Sequence, residues 1–159
     1  GVLETRPIAG THPRGKGDSD NVQKENLISH PKEIAEHVML LDLERNDMGR
    51  VCLPGSVNVT EFMQLEQYSH VSHIVSNIEG KLKPGISIYN LLKSLFPGGT
   101  ITGCPKIRCM EIISELEPSS RGPYSGSFGY IGFCKELDLN ILILTKRLKK
   151  DLQPNKILN

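Results

Sequence analysis

The 159-residue sequence has almost no excess charge: 19 Lys and Arg stand against 18 Asp and Glu, a formal charge of +1. A protein that binds nucleic acid or another polyanion through its surface field carries a clear basic excess, so this balance argues against that class. No run approaches the ~18 uncharged apolar residues that a membrane span requires. The opening stretch, Gly1 to Asp20, is too polar and too rich in glycine for a signal peptide, so a cytoplasmic location is expected. Cysteine is sparse. Cys52, Cys104, Cys109 and Cys134 are separated by 52, 5 and 25 positions, which makes neither a CxxC knuckle nor a dense disulfide scaffold, and reduced, buried thiols are expected. Also absent are the Gly-x-Ser-x-Gly elbow, the His-Glu-x-x-His helix and the dinucleotide-binding Gly-x-Gly-x-x-Gly loop.

What is present suits a folded domain. Hydrophobic residues make up 38% of the chain, and a chain of this length buries roughly 70% of its unfolded surface around one core. Val2 to Thr5 reads as a strand that enters a loop near Pro7 and Gly10, since Gly10 to Gly15 is dense in turn residues. A helix is expected over about Asp20 to Ile28. A second starts at Pro31 and ends near Gly49, with Ile34, Val38 and Leu41 as its apolar line. Short extended pieces at Arg50–Leu53 and Val57–Val59 precede a strand from Tyr68 to about Leu82. Ile88, Leu91, Leu92, Leu95 and Phe96 then mark a helix over Ser87–Phe96. Gly98 to Gly103 reads as a glycine-rich loop leading into Pro105 and a helix that runs to about Leu116. Tyr124–Cys134 and Leu137–Thr145 read as the arms of a β-hairpin, followed by a basic tail. Strands mixed with helices, without regular βαβ alternation, give an α+β fold with an antiparallel sheet.

Three places could carry chemistry. In the Gly98–Gly103 loop, backbone N–H groups can converge beside a helix start, so an anion fits there; Thr100 and Thr102 add hydroxyls, and Lys106 follows in the first turn. The order Gly-Cys-Pro-Lys-Ile departs from a nucleotide P-loop, which leaves a carboxylate as the better ligand; a plain helix cap with a tight turn is the alternative. On the second helix, Glu36 lies close to the line of Ile34 and Val38, where a carboxylate wants a cation. Mg²⁺, often held by one or two protein carboxylates, suits it, and an exposed or salt-bridged Glu is the other reading. His70 and His73, three positions apart, fall on opposite faces of a strand, so they do not share a metal and at most one points at a site.

These residues also fall into ordered motifs: Arg6-Pro7-Ile8-Ala9-Gly10-Thr11 with Pro13-Arg14-Gly15; Glu36-His37-Val38-Met39-Leu40-Leu41-Asp42 through Asp47; Tyr68-Ser69-His70-Val71-Ser72-His73-Ile74-Val75-Ser76; Phe96-Pro97-Gly98-Gly99-Thr100 through Lys106; and Arg121-Gly122-Pro123-Tyr124. Together they resemble the chorismate-utilising enzymes over nearly the whole chain, to about Thr145. Residues 1–146 are then part of a chorismate-binding domain, truncated at both ends, and residues 147–159 a polar basic tail. Within the family the similarity is greatest to the ammonia-using members, aminodeoxychorismate synthase component I and anthranilate synthase component I, which add ammonia to chorismate while eliminating its 4-hydroxyl.

The resemblance implies chorismate as substrate and ammonia delivered by a glutamine amidotransferase subunit; the charge balance and the lack of a long apolar run leave neither nucleic acid nor membrane as an expected partner. It implies Mg²⁺ on the ring carboxylate with Glu36 as one ligand, His73 and Thr100 as catalytic-site residues, and Gly10, Thr11 and Tyr124 in contact with substrate; Lys106, from the loop argument above, joins this substrate-binding set. Glu36 and the Thr100 turn are expected to face each other across the cavity.

Ala9 stands where many aminodeoxychorismate synthases carry a nucleophilic lysine, and Ile8-Ala9-Gly10 is the spelling of anthranilate synthases. Gly98 through Lys106 with Arg108-Cys109-Met110 looks more like aminodeoxychorismate synthases of the alanine-bearing kind, in which direct ammonia addition at C2 takes the place of lysine attack. Family members read Asp-x-x-Ile-x-Ile-Arg-Thr in the second hairpin arm, whereas this chain has Leu144 at the arginine position. Loss of that bidentate partner costs about 2–5 kcal/mol of substrate binding. The family's C-terminal glycine-rich segment with further magnesium-binding glutamates, and the earlier strands with its general acid, fall outside this sequence. A catalytically inactive chorismate-pocket module is therefore a further expectation.

Overall fold

Residues 71–81 form the strand around which the first part of the chain is built. The computed structural model describes residues 1–15, 18–134 and 136–142, and the chain divides into two units, Gly1–Leu95 and Phe96–Asn159. In the first, the chain order is β1 (Val2–Thr5), β2 (Ile8–Pro13), α1 (Asp18–Ser29), α2 (Pro31–Gly49), β3 (Asn58–Gln67), β4 (Val71–Lys81) and α3 (Ile88–Leu95). β1 and β2 both pair antiparallel with β4, β1 over Ile78–Lys81 and β2 over Val71–Val75, while β3 pairs antiparallel with β4 over Ser72–Glu79. Having partners along both edges, β4 is the most buried strand, with Ser72, Ile74, Val75, Ser76, Asn77, Ile78 and Gly80 all buried. Its β-branched Val and Ile side chains suit a pleated surface packed on two faces.

Two strands depart from the expectations, for reasons of local backbone. The turn-like stretch after Ala9 continues as strand β2 through Pro13, because Gly10, at φ 75°, is the extra residue of a bulge between Ala9 and Thr11 and does not end the strand. Of the expected piece Val57–Val59, Asn58 and Val59 only open the ten-residue β3, which runs on to Gln67. Register shifts after Val59 and after Glu61, with Met63 at φ 50°, break the period-two alternation that marks a strand in sequence.

Helix α2 runs from Pro31 to Gly49 as expected, but its inward face is rotated. His37, Leu41, Asp47 and Met48 are buried, whereas Val38 is 41% exposed. The reason is a polar contact: His37 Nε2 lies 2.6 Å from Ser76 Oγ on β4, so the helix turns its histidine rather than its valine toward the sheet. Glu36 is thereby exposed, which corrects its expected place beside the buried line.

The second unit holds α4 (Gly99–Thr102), α5 (Lys106–Leu116), β5 (Ser127–Ile131) and β6 (Leu137–Ile141). β5 and β6 pair antiparallel as the expected hairpin, with Ser127 opposite Ile141 and Ile131 opposite Leu137. Phe128, Tyr130, Ile131 and Phe133 are exposed on it. Leu144 and the basic tail, residues 147–159, lie outside the described residues. All four cysteines are free thiols, but only Cys52 is buried and Cys104 and Cys134 are exposed, against the expectation of buried thiols. Burial pushes the Cys52 thiol up from 9.0, which keeps it protonated and unreactive.

Cys52 also explains a glycine. A Cβ on Gly80 would stand 2.7 Å from Cys52 Sγ and 3.3 Å from Val57 Cγ2, so β4 can approach residues 52–57 only without a side chain there. Gly80→Ala is expected to lower the unfolding free energy by about 1–3 kcal/mol, measured by urea denaturation. In a double-mutant cycle Cys52→Ala should relieve part of that loss. A Gly80→Ala chain as stable as the wild type would contradict the packing.

Candidate functional site

The expected site residues on the sheet are assembled by cross-strand register. Thr11 on β2 and Glu66 on β3 both lie opposite His73 on β4, so the three side chains form one row on one face of the sheet. Thr11 Oγ1 is 2.9 Å from His73 Nδ1. The Tyr68 ring meets the His73 ring edge-on, with centroids 5.6 Å apart and planes at 64°. Tyr68 donates its O–H to Glu66 Oε2 at 2.8 Å, and Arg6 pairs with the other oxygen of the same carboxylate. His70 is exposed in the turn before β4, so of this pair His73 alone lies in the strand.

Gly10 is placed by the same bulge. A Cβ there would stand 2.9 Å from Leu27 Cδ1 and 3.0 Å from Glu33 Oε2, so α1 and the first turn of α2 close against the backbone beside Thr11. Glu36, one turn on, is a separate feature. Its side chain is 48% exposed and pairs with Lys32 at 3.4 Å. Among the described residues no group of three or more His, Cys, Asp or Glu side chains is placed to hold a metal. Glu36 by itself is therefore at most one ligand of a cation and not a complete site.

In the second unit the expected glycine-rich loop is partly a helical turn. Ile101 and Thr102 donate their N–H groups to Gly98 O, Gly103 donates to Gly99 O, and the Thr102 hydroxyl donates to Gly98 O at 3.1 Å. Those amides and that hydroxyl are spent inside the turn, which narrows the expected anion-binding surface. Thr100, half-buried, makes no side-chain hydrogen bond among the described residues. Lys106 is buried at the first position of α5. Tyr124 lies beneath the Arg121 guanidinium, 5.6 Å from the ring centroid, and Arg121 holds Glu117 in a two-pronged pair at 2.8 and 2.6 Å. A cavity of about 170 Å³, bordered by Pro97, Thr102, Met110, Ile113, Arg121 and Ser125, opens beside this pair.

Some of this polar architecture was not singled out in the sequence. His37 is fully buried, its Nε2 on Ser76 Oγ, and Ser76 Oγ also accepts the Met63 N–H at 2.8 Å. Burial lowers the His37 pKa below 6.5. His37 sits four residues before Leu41, and that spacing was the available signal; Val38, three residues before Leu41, masked it. Glu66 and Arg6 carried no signal, because a lone Glu and a lone Arg far apart in sequence meet only through register.

The fold and site define an α+β chain whose antiparallel sheet presents a histidine from its central strand. The chain belongs to the chorismate binding enzyme family, whose profile matches residues 1–152. It is 57% identical over 145 residues to aminodeoxychorismate synthase component 1 of Bacillus subtilis, covering 91% of this chain and 31% of that protein. To anthranilate synthase component 1 of Synechocystis sp. it is 59% identical over 145 residues, covering 91% and 28%. The crystal structure of anthranilate synthase component I from Streptococcus pneumoniae superposes with a TM-score of 0.76 at 41% identity, over 90% of this chain and 31% of that one. The chain thus spans about a third of the length of these relatives. Among the described residues no helix is long and apolar enough to cross a membrane.

The Tyr68 hydrogen bond, aided by Arg6, holds the Glu66 carboxyl below its ordinary 4.5, and the same bond to Glu66 pushes the phenol above 10.0, against the pull of Arg6. A carboxyl that is a stronger acid in the folded chain contributes stability above its unfolded pKa and loses that contribution as pH falls through the folded value. Tyr68→Phe removes the largest cause. Its loss of stability from about pH 5 to pH 3 is expected to be shallower than that of the wild type, as read by denaturant titration at each pH; identical slopes would contradict the assignment.

Proposed function

We propose that this chain is a segment of an ammonia-dependent synthase that aminates chorismate, of the aminodeoxychorismate synthase component I kind. In the net reaction ammonia adds and the 4-hydroxyl leaves as water. The observation that supports the reading most is the meeting of two separated family motifs: Gly10-Thr11 and His73 come together across β2 and β4, with the Thr11 hydroxyl on His73 Nδ1.

In this reading each residue has a bounded task. His73 lies beside the substrate ring, and Gly10 and Thr11 contact substrate where the bulge exposes backbone. Thr100 and Tyr124 contribute site wall, and Lys106 supplies positive charge at the start of α5. Glu36 is one ligand of Mg²⁺, which when bound supplies Lewis acidity at the ring carboxylate. The word component in the relatives' names supports a second subunit, which we assign as a glutamine amidotransferase that delivers ammonia; the pathway is then that of para-aminobenzoate and folate.

A second reading, anthranilate synthase component I, is favoured by Ala9. This residue is buried in β2 and has no nucleophile to offer. Overall identity does not separate the two, at 57% and 59%. Gly98 through Lys106 and Arg108 through Met110 tip the choice toward para-amination.

Calorimetry of the 159-residue chain is expected to show chorismate binding that depends on Mg²⁺, with no aminated product when ammonia is added. Absence of Mg²⁺-dependent binding would sink the reading, and product from the chain alone would show that the rest of the relatives' length is dispensable. Grafting the chain in place of the matching segment of the Bacillus subtilis protein is expected to retain para-amination; exclusive ortho-amination would select the second reading.

A further inference from the structure

Arg6, Glu66 and Tyr68 belong to no role assigned above, yet they form a connected chain that ends on His73. The carboxylate of Glu66 takes the Tyr68 O–H at 2.8 Å on one oxygen and the Arg6 guanidinium on the other, so both of its oxygens are engaged. The Tyr68 ring, fixed at its far end by that bond, packs in a T-shaped arrangement with His73, centroids 5.6 Å apart and planes at 64°. From the opposite neighbouring strand, Thr11 Oγ1 holds Nδ1 at 2.9 Å. Among the described residues His73 Nε2 has no hydrogen-bond partner. The imidazole is therefore held at one nitrogen and by one neighbouring ring, and the other nitrogen is left to act.

We propose that Arg6, Glu66 and Tyr68 are positioning residues for His73: Arg6 fixes Glu66, Glu66 fixes the Tyr68 phenol, and the Tyr68 ring holds the imidazole in the plane that keeps Nδ1 on Thr11 and presents Nε2 to substrate. The hydrogen bond an imidazole makes at one nitrogen sets which nitrogen carries the proton. Loosening the ring therefore changes the proton's place as well as the ring's angle. The proposal rests on the reading of His73 as a residue beside the substrate ring and extends it to the groups that aim it.

The test uses the ligand-free chain, so a chain that fails to bind chorismate still decides it. Long-range ¹H–¹⁵N correlation of the His73 ring at about pH 8.5, where imidazole is neutral, reads the ratio of Nδ1–H to Nε2–H tautomers. Thr11→Val should move that ratio roughly two- to tenfold, the range expected from losing one hydrogen bond, and Thr11→Ser should restore it. Tyr68→Phe keeps the ring but cuts it from Glu66, and Glu66→Gln weakens both of that carboxylate's bonds. Each should move the ratio in the same direction as Thr11→Val and weaken the cross-relaxation between ring 68 and ring 73. A merely structural part for these residues would lower the melting temperature and leave the ratio of the folded chain alone. Wild-type ratios in both folded Tyr68→Phe and Glu66→Gln chains would overturn the proposal, as would a wild-type ratio in Thr11→Val.

Discussion

The double pairing of β4 is the constraint on which the first unit depends. β3 lies along one edge and β1 and β2 along the other, so the strand's backbone groups are taken up by its neighbours and its side chains are covered. Ile74, Val75 and Ile78 are buried to within 2% of full coverage, each contributing about 1.5–3 kcal/mol by removal of apolar surface from water. Register then does the chemical work. A slip of one residue would turn His73 and Ser76 to the opposite faces, breaking at once the Thr11 bond, the Tyr68 contact and the anchor that turns His37 inward.

The polar contacts that Ser76 and His73 make from β4 serve different ends. Ser76 ties the sheet to α2 through His37 and to the β3 bulge through the Met63 N–H, so it sets how the helix is rotated. His73, one residue before the bulge partner Ile74, is half-buried and has a second nitrogen open. The same strand thus carries a contact that fixes the fold and a group available for chemistry. The rotation set by His37 also decides that Glu36 faces outward beside Lys32, where a cation or another part of a longer polypeptide can reach it.

Much of this was legible in the residues themselves. Pro31, Gly49 and the spacing of Ile88, Leu91 and Leu95 placed α2 and α3 within a residue or two, and the hairpin arms bracketed β5 and β6. What escaped was whatever tertiary context decides. Gly10 reads as a turn until the bulge is seen, β3 loses its alternation to two register shifts, and Val38 outranks His37 on hydrophobicity until Ser76 supplies a partner. Of the site, Gly10, Thr11 and His73 were reached through the family resemblance and are brought together by register. Thr100, Lys106 and Tyr124 lie in the second unit, where the turn over Gly98–Gly103 spends amides that a loop would have left open. Phe128, Tyr130 and Phe133 of the hairpin are exposed, and alternation along β5 puts Phe128 and Tyr130 on one face.

The central claim is that the seam between β2 and β4 is where the substrate ring sits. Amide chemical-shift mapping of the ¹⁵N-labelled chain, titrated with chorismate in the presence of Mg²⁺, tests it most directly. The account places the largest perturbations at Gly10, Thr11 and His73, diminished in a folded Thr11→Val chain. Saturable shifts that leave those three amides unmoved and gather on α3 or on the β5–β6 hairpin would contradict it.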